Sequence, residues 1–214
     1  ETGAPMPGSA PYALEPGVTV VDFPAPQSTV MFGHEGPLRD DPDFIPAFVM
    51  NHILGGGNFS SWLFQEVREA RGLAYSVYSF LAPLDHSAVV GGGTATRNDQ
   101  AEEALSVILA QLERMAEEGP TAEELAAAKS YLTGSYALRF GSSNSIARQL
   151  LGIQIEDLGI DYVDRRNGLI EAVTLEGLRG HAISLAASGR AAMALYGPVT
   201  GAPDLSHVRE RLAA

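Results

Sequence analysis

The chain contains no cysteine, which excludes disulfides, thiolate metal sites and a cysteine nucleophile. Basic residues are also scarce, since 14 Lys and Arg stand against 26 Asp and Glu and give a formal net charge of -12. A surface this acidic argues against binding to nucleic-acid phosphates and against docking on anionic lipid. No apolar run approaches the roughly 20 residues of a membrane helix. We therefore expect neither nucleic acid nor a membrane as a partner.

The histidines lie too far apart in the sequence to form a ligand pair on one helix. They are His34, His52, His86, His181 and His207. No two are closer than 18 positions, so the chain has neither His-x-x-x-His nor His-x-x-Glu-His. The serine-hydrolase elbow and the phosphate-binding P-loop motif are absent as well. We expect this chain by itself to bind no metal.

The first 16 residues contain four prolines and are typical of an extended linker. They include neither a basic segment nor an apolar segment of the kind found in a signal peptide, so we expect no signal peptide in this chain. The first residue is Glu1 rather than Met, which fits removal of an upstream part. The compartment stays open.

The order of the predicted elements indicates an α+β fold with a single, antiparallel-rich sheet and helices packed on one face. Residues 17–214 are expected to form this domain. Strands are predicted at 17–23, 27–34, 73–84, 87–96 and 191–196. Helices are predicted at 42–54, 61–70, 98–118, 121–140, 143–155, 161–172, 174–187 and 205–212. Gly91, Gly92 and Gly93 inside one strand indicate a bulge or a closely approaching neighbour.

Gly55, Gly56 and Gly57 follow the first predicted helix. The residues suggest a tight turn between two helices, in which glycine permits a left-handed backbone. The backbone amides of such a loop also suit an anion, but the loop lacks a lysine and follows a helix rather than a strand. A structural turn is therefore favoured from the residues.

Arg68 and Tyr75 flank a predicted helix-to-strand turn at Gly72. A guanidinium and a phenol are both hydrogen-bond donors suited to a polarised carbonyl or its oxyanion. From the residue types alone, structural roles are favoured: Arg68 stabilises the helix C-terminus, and Tyr75 belongs to an aromatic strand with Tyr78 and Phe80.

The segment around these residues resembles the second-domain signature of M16 peptidases. This family includes mitochondrial processing peptidase, insulin-degrading enzyme, pitrilysin and bacterial two-subunit zinc proteases. The resembling motif is Leu54-Gly55-Gly56-Gly57, then Ser60-Ser61-x-Leu63-Phe64-Gln65-Glu66-x-Arg68-Glu69-x-Arg71-Gly72-Leu73-Ala74-Tyr75-Ser76-Val77. The likeness extends over about residues 17–200, so residues 17–214 are similar to the family's C-terminal, non-zinc-binding domain.

The resemblance implies that this chain completes an active site whose zinc lies in another half. That half carries His-x-x-Glu-His and is either part of the same polypeptide or a separate subunit. Arg68 and Tyr75 match the Arg and Tyr, seven positions apart, with which the second half holds the peptide substrate and stabilises the oxyanion opposite the zinc. Gly55, Gly56 and Gly57 align with a longer glycine-rich, substrate-guiding loop, which makes them candidate substrate-binding residues. The chain is then a component of a zinc metalloendopeptidase and inactive in isolation.

Two alternatives stay open. Relatives of this fold serve as inert structural subunits, and a peptide-binding module biased toward basic peptides also fits the acidic charge. Retention of both Arg68 and Tyr75 favours the peptidase component, because a scaffold has no chemical need for them. The compartment is either the bacterial periplasm or the cytoplasm.

Overall fold

The structure, a computed structural model, describes residue 8, residues 17–180 and residues 192–197. The strands are β1 (Gly17–Asp22), β2 (Ser28–Glu35), β3 (Ala74–Pro83), β4 (Ala88–Thr96) and β5 (Ala192–Gly197). The α-helices are α1 (Phe44–Asn51), α2 (Ala101–Glu117), α3 (Ala122–Gly134), α4 (Ser143–Ile155) and α5 (Tyr162–Glu171). The wider π-helical turns are His52–Gly56 and Phe64–Glu69, and the tighter 3-10 turns are Asn58–Ser60, Asn98–Gln100 and Tyr136–Phe140. Residues 175–180 are also helical.

Some predictions fall outside the described residues. These are the linker over 1–16, apart from Gly8, positions 181–187 of the helix over 174–187, position 191 of the last strand, and the terminal helix over 205–212. In the described part of the chain, no helix combines the length and the apolar character that crossing a bilayer requires.

The five described strands form one sheet in the order β1-β5-β2-β4-β3. β1 and β5 run parallel, whereas the β5–β2, β2–β4 and β4–β3 pairs are antiparallel. The predicted α+β fold with an antiparallel-rich sheet is therefore confirmed. β3, which follows the candidate Arg68 and Gly72, is an edge strand of the sheet among the described residues.

The two faces of the sheet differ in burial because successive strand residues point to opposite sides. On β2, Val30 and Phe32 are buried under the helices while Met31 is 54% exposed. On β3, Val77 is buried while Tyr78 is 49% exposed. The helices thus cover one face, as predicted, and we call the other the open face.

The core lies between the covered face and the helices. Its fully buried aliphatic side chains include Val30, Val49, Leu63, Val67, Leu105, Ile108, Ile170 and Leu178. Burial of each such side chain contributes on the order of 1.5–3 kcal/mol. This core fixes the helix before Gly72 against the strand that follows it, so the candidate site has a rigid base.

Two local predictions are confirmed in detail. Leu84 N–H donates to the Ser87 carbonyl at 2.8 Å, which closes the β3–β4 hairpin around Asp85 and His86. The Thr121 hydroxyl accepts from the Glu124 amide at 3.1 Å while the Glu124 carboxylate accepts from the Thr121 amide at 2.8 Å. This reciprocal capping box starts α3.

The helix predicted over 121–140 was too long. α3 ends at Gly134, and Tyr136–Phe140 continues as a 3-10 turn. In a 3-10 turn residues three apart share one side, so Tyr136 and Arg139 line the same groove. Tyr136 is buried there, against the guanidinium of Arg166 at 4.1 Å from its ring centre.

Candidate functional site

The helical segment carrying Arg68 ends at Glu69, and Gly72 turns the chain away from it, as the sequence predicts. Gly72 has φ +64°, in the left-handed region where glycine has no steric penalty. Its amide donates to the Arg68 carbonyl at 2.9 Å, and the Leu73 amide donates to the Val67 carbonyl at 2.9 Å. These bonds use carbonyls that the helix end would leave unpaired, and they direct the chain into β3.

The helix is anchored on its other side by Trp62. Its indole N–H donates to the Glu124 carboxylate at 2.7 Å, and the Arg114 guanidinium lies 3.8 Å from the ring centre. Leu63 and Val67 are fully buried in the core. One face of this short helix is therefore fixed to α2 and α3, and Arg68 lies at its end.

A β-bulge places Tyr75 on the open face. Ala74 pairs with Thr96 and Val77 pairs with Thr94, so Tyr75 and Ser76 both stand opposite Ala95. Regular alternation from the buried Val77 would turn Tyr75 toward the helices. The extra residue reverses this, and Tyr75 is 84% exposed.

Arg68 and Tyr75 come together at this bulge. The Arg68 guanidinium carbon lies 4.8 Å from the centre of the Tyr75 ring, within the range of a cation–π contact. The Arg68 side chain is 32% exposed, and its Nε lies 3.8 Å from the Glu69 carboxylate, longer than a hydrogen bond. Among the described residues the Tyr75 hydroxyl has no hydrogen-bond partner, so the contact with Arg68 involves the ring and leaves the hydroxyl to solvent.

The second arginine of the motif is placed differently. Arg71 forms an ion pair with Glu66 and also donates to the Glu66 carbonyl at 3.0 Å. Its guanidinium is therefore occupied by the preceding helix, whereas the Arg68 guanidinium faces two aromatic rings.

Sequence reasoning missed the aromatic support beneath Arg68. Phe64 lies 4.7 Å from the Arg68 guanidinium, one helical turn earlier, and the Phe59 ring packs edge-on against Phe64 at 5.0 Å. Phe59 is 70% exposed. The spacing of Phe64 and Arg68 by four residues was the available signal, since such pairs meet on a helix surface.

The glycine triplet lies between two helical segments, as predicted, but Gly55 and Gly56 end the wide π-helical turn His52–Gly56 and do not form a separate tight turn. Gly55, Gly56 and Gly57 all lack positive φ, and the left-handed residue is Asn58 at φ +51°. A Cβ on Gly55 would lie 2.6 Å from the Ser79 amide nitrogen on β3, and one on Gly57 would lie 2.6 Å from the His52 carbonyl oxygen. Close packing, not backbone handedness, requires glycine here. A substrate-binding role for the three stays a prediction.

The described residues do not fit a zinc site. Across 17–180 and 192–197, no group of three or more His, Cys, Asp or Glu side chains lies close enough to hold a metal ion. His52, which sits beside the glycine turn, stacks on the Tyr131 ring at 5.1 Å. Burial lowers its pKa below the usual histidine range, which favours the neutral ring.

The comparisons with known proteins give the family of this α+β domain. The family model described as "Peptidase M16 inactive domain" matches residues 3–132. The chain belongs to the peptidase M16 family.

Individual relatives agree with this assignment. An uncharacterized zinc protease of Mycobacterium bovis is 33% identical over 195 residues, which are 91% of this chain and 44% of that protein. A non-peptidase homolog from Helicobacter pylori is 34% identical over 116 residues, which are 53% of this chain and 26% of that protein. The crystal structure of a peptidase M16 inactive domain from Pseudomonas fluorescens superposes with a TM-score of 0.83 at 28% identity, covering 94% of this chain and 48% of that one. This chain spans less than half the length of each.

Proposed function

We propose that this chain is the non-zinc-binding half of an M16-type zinc metalloendopeptidase, and that Arg68 and Tyr75 complete its active site. The observation that carries the proposal is the pairing of the two side chains at the bulge, with the guanidinium 4.8 Å from a phenol ring that is 84% exposed. The zinc then belongs to the partner half, because the described residues offer no ligand set for it.

The proposed role of Tyr75 follows from its free hydroxyl. A phenol O–H donates one hydrogen bond, and a donor held where negative charge develops lowers the barrier to peptide hydrolysis. The Arg68 guanidinium packs against the Tyr75 ring and restricts the rotation of that ring. The Tyr75 hydroxyl is therefore held in position before the substrate arrives. Tyr75 therefore serves as the donor to the oxyanion of the scissile carbonyl.

The proposed role of Arg68 is to hold the peptide. Its guanidinium has five N–H donors and no acceptor, and within the described part of the chain its one carboxylate neighbour is Glu69, 3.8 Å away. These donors suit the backbone carbonyls of an extended peptide next to the scissile bond. The Arg68 guanidinium lies against the rings of Phe64 and Tyr75, and these contacts restrict its orientation.

The open face gives the partner half a place to approach. Tyr75 shares this face with Met31, Tyr78 and Phe80, which are 54%, 49% and 39% exposed. Such a patch is typical of a surface that faces a partner. The chain covers 44% and 48% of two matched relatives, so we propose that the zinc-bearing half occupies the rest of that length and faces this surface.

Reconstitution tests the proposal. The chain is mixed with its zinc-bearing half, and hydrolysis of a quenched fluorescent peptide is measured for each part and for the mixture. We expect the chain by itself to be inert and the mixture active. Tyr75→Phe should lower kcat about a hundredfold, the cost of losing one oxyanion donor. Tyr78→Phe is the matched control, since it removes a phenol hydroxyl from the same face of the same strand.

The alternative is an inert assembly subunit. It is favoured by the Helicobacter pylori relative, whose name describes a non-peptidase homolog. A stable complex that hydrolyses no peptide, or one in which Tyr75→Phe retains the wild-type kcat, would support this alternative and remove the catalytic assignment.

A further inference from the structure

A groove on the covered side of the sheet gathers arginine side chains in an otherwise acidic protein. It has a volume of about 310 Å³ and lies between α1, α4, α5 and the end of β3. Four guanidinium groups line it, those of Arg39, Arg139, Arg148 and Arg166, against the single carboxylate of Glu156. We call it the arginine groove. Its lining has a formal charge of +3 in a chain of net charge -12.

Arg166 is the deepest of the four. It is only 6% exposed, and its Nη1 donates to the Leu132 carbonyl and to the Asn167 side-chain oxygen, both at 3.1 Å. No carboxylate pairs with it among the described residues. Burial lowers its pKa below the usual arginine range, and the positive charges of Arg139 and Arg39 act in the same direction. A buried cation with neutral partners only is costly, and an anion in the groove would offset that cost.

The only carboxylate of the lining is already used. Glu156 accepts from Arg39 Nε at 2.6 Å, and Arg39 Nη2 donates to the Tyr162 hydroxyl at 2.7 Å. Arg139 and Arg148 are exposed and have no ion-pair partner in the described part of the chain. The groove therefore has two unneutralised guanidiniums at its mouth and a third at its base.

The walls between these charges are apolar. The lining includes the rings of Phe44 and Phe48 and the side chains of Leu81 and Ile153. A bare inorganic ion would leave these walls in contact with water, whereas an apolar body would cover them. The volume is at the lower end of the range for small-molecule sites.

We propose that the arginine groove binds a small organic anion, a carboxylate attached to an apolar or aromatic body. The guanidinium forks bind the carboxylate, for which their geometry is suited, and the aromatic walls hold the body. The groove does not include Arg68 or Tyr75. This proposal is therefore independent of the peptidase proposal.

The test uses 4-phenylbutyrate as the probe and its neutral amide as the comparison. Each is titrated into the 214-residue chain, and binding is followed by calorimetry and by NMR. We expect saturable binding of the carboxylate and at least about tenfold weaker binding of the amide, because hydrogen bonds to a charged group are stronger than those to a neutral one.

The variants use the exposed arginines, so that folding is preserved. Arg139→Gln and Arg148→Gln should each lower the affinity for the carboxylate probe several-fold and leave the affinity for the amide unchanged. Arg97→Gln is the matched control, because Arg97 is an exposed arginine paired with Asp99 and does not line the groove. It should bind the probe like the wild type.

Four outcomes would overturn the proposal. Equal affinity for carboxylate and amide would remove the role of charge, and no binding of either up to millimolar concentration would remove the site. Displacement of the probe by inorganic phosphate at equal concentration would remove the role of the apolar walls. Loss of probe binding when the zinc-bearing half is added would identify the groove as part of an interface. None of these outcomes depends on peptide hydrolysis.

Discussion

Thr94 holds the bulge of the neighbouring strand in place: its hydroxyl donates to the Ser76 carbonyl at 2.7 Å. Thr96 acts in the same way two residues along β4, donating to the Leu73 carbonyl at 2.6 Å. The two hydroxyls satisfy carbonyls on either side of Tyr75. The exposure of Tyr75 thus depends on side chains of a strand on which it does not lie.

Thr94→Val tests this dependence, because valine keeps the shape and removes the hydroxyl. We expect the free energy of unfolding to fall by about 1 kcal/mol, the contribution of one such hydrogen bond. In the reconstituted complex, kcat should fall several-fold as the bulge relaxes and Tyr75 loses its fixed position. Denaturant unfolding and steady-state kinetics measure both. Thr29→Val, an exposed threonine on β2, is the control; equal effects of the two substitutions would contradict the role of the bulge.

Arg68→Ala should separate binding from chemistry. If Arg68 holds the peptide, KM rises about tenfold while kcat stays within about twofold, the pattern of lost uniform binding. Arg68→Lys retains the charge but not the planar guanidinium, so its KM should lie between that of Arg68→Ala and that of the wild type. Arg71→Ala is the matched control, since Arg71 is paired with Glu66. A wild-type KM in Arg68→Ala would exclude peptide holding.

Gly55→Ala should destabilise the fold despite the higher helix propensity of alanine. The new Cβ would lie 2.6 Å from the Ser79 amide nitrogen and 2.9 Å from the Leu63 side chain. Overpacking of this kind costs about 1–3 kcal/mol. Gly168→Ala, in α5 with nothing within 4 Å of the added Cβ, should instead stabilise by about 0.5–1 kcal/mol. Thermal unfolding of both variants measures these changes. A Gly55→Ala variant as stable as the wild type would show that β3 can move away from the added Cβ.

The half-buried His52 predicts a loss of stability in acid. Its pKa in the folded state lies below the unfolded value of about 6.5, so the unfolded chain binds the proton more readily. The contribution of the neutral ring is present above pH 6.5 and is lost as the pH falls through the folded pKa. His52→Gln should flatten the pH dependence of the unfolding free energy below pH 6.5, as followed by denaturant unfolding at a series of pH values. Parallel curves for wild type and His52→Gln would contradict this assignment.

The sequence was sufficient for the fold class because alternation and capping are local signals. Val30, Met31 and Phe32 predict the two faces of β2, and Thr121 with Glu124 predicts the start of α3. The site motif predicted Arg68 and Tyr75 as candidates, and Gly72 predicted the turn between them.

The remaining features depend on contacts between distant segments. The bulge that exposes Tyr75 is fixed by Thr94 and Thr96, which lie on another strand. The sequence of residues 74–77 does not predict it. Gly55 is required by Ser79, which lies 24 positions further along. The arginine groove escaped detection because its four arginines are scattered from residue 39 to residue 166 and only the packing of α4 beside α1 and α5 brings them together.

The parallel pairing of β1 with β5 has a consequence for how the chain is made. Gly17 pairs with Ala192, and β5 also pairs with β2. A nascent chain can close the β3–β4 hairpin and add β2 before β5 is made, because the residues paired in β2–β4 are closer in sequence than those paired in β1–β5. Among the described strands β1 pairs only with β5, so it gains this neighbour once residues 192–197 have left the ribosome. The described sheet is therefore completed later than its β2–β4–β3 part, and truncation just before β5 would leave both β1 and one side of β2 open to strand exchange between molecules.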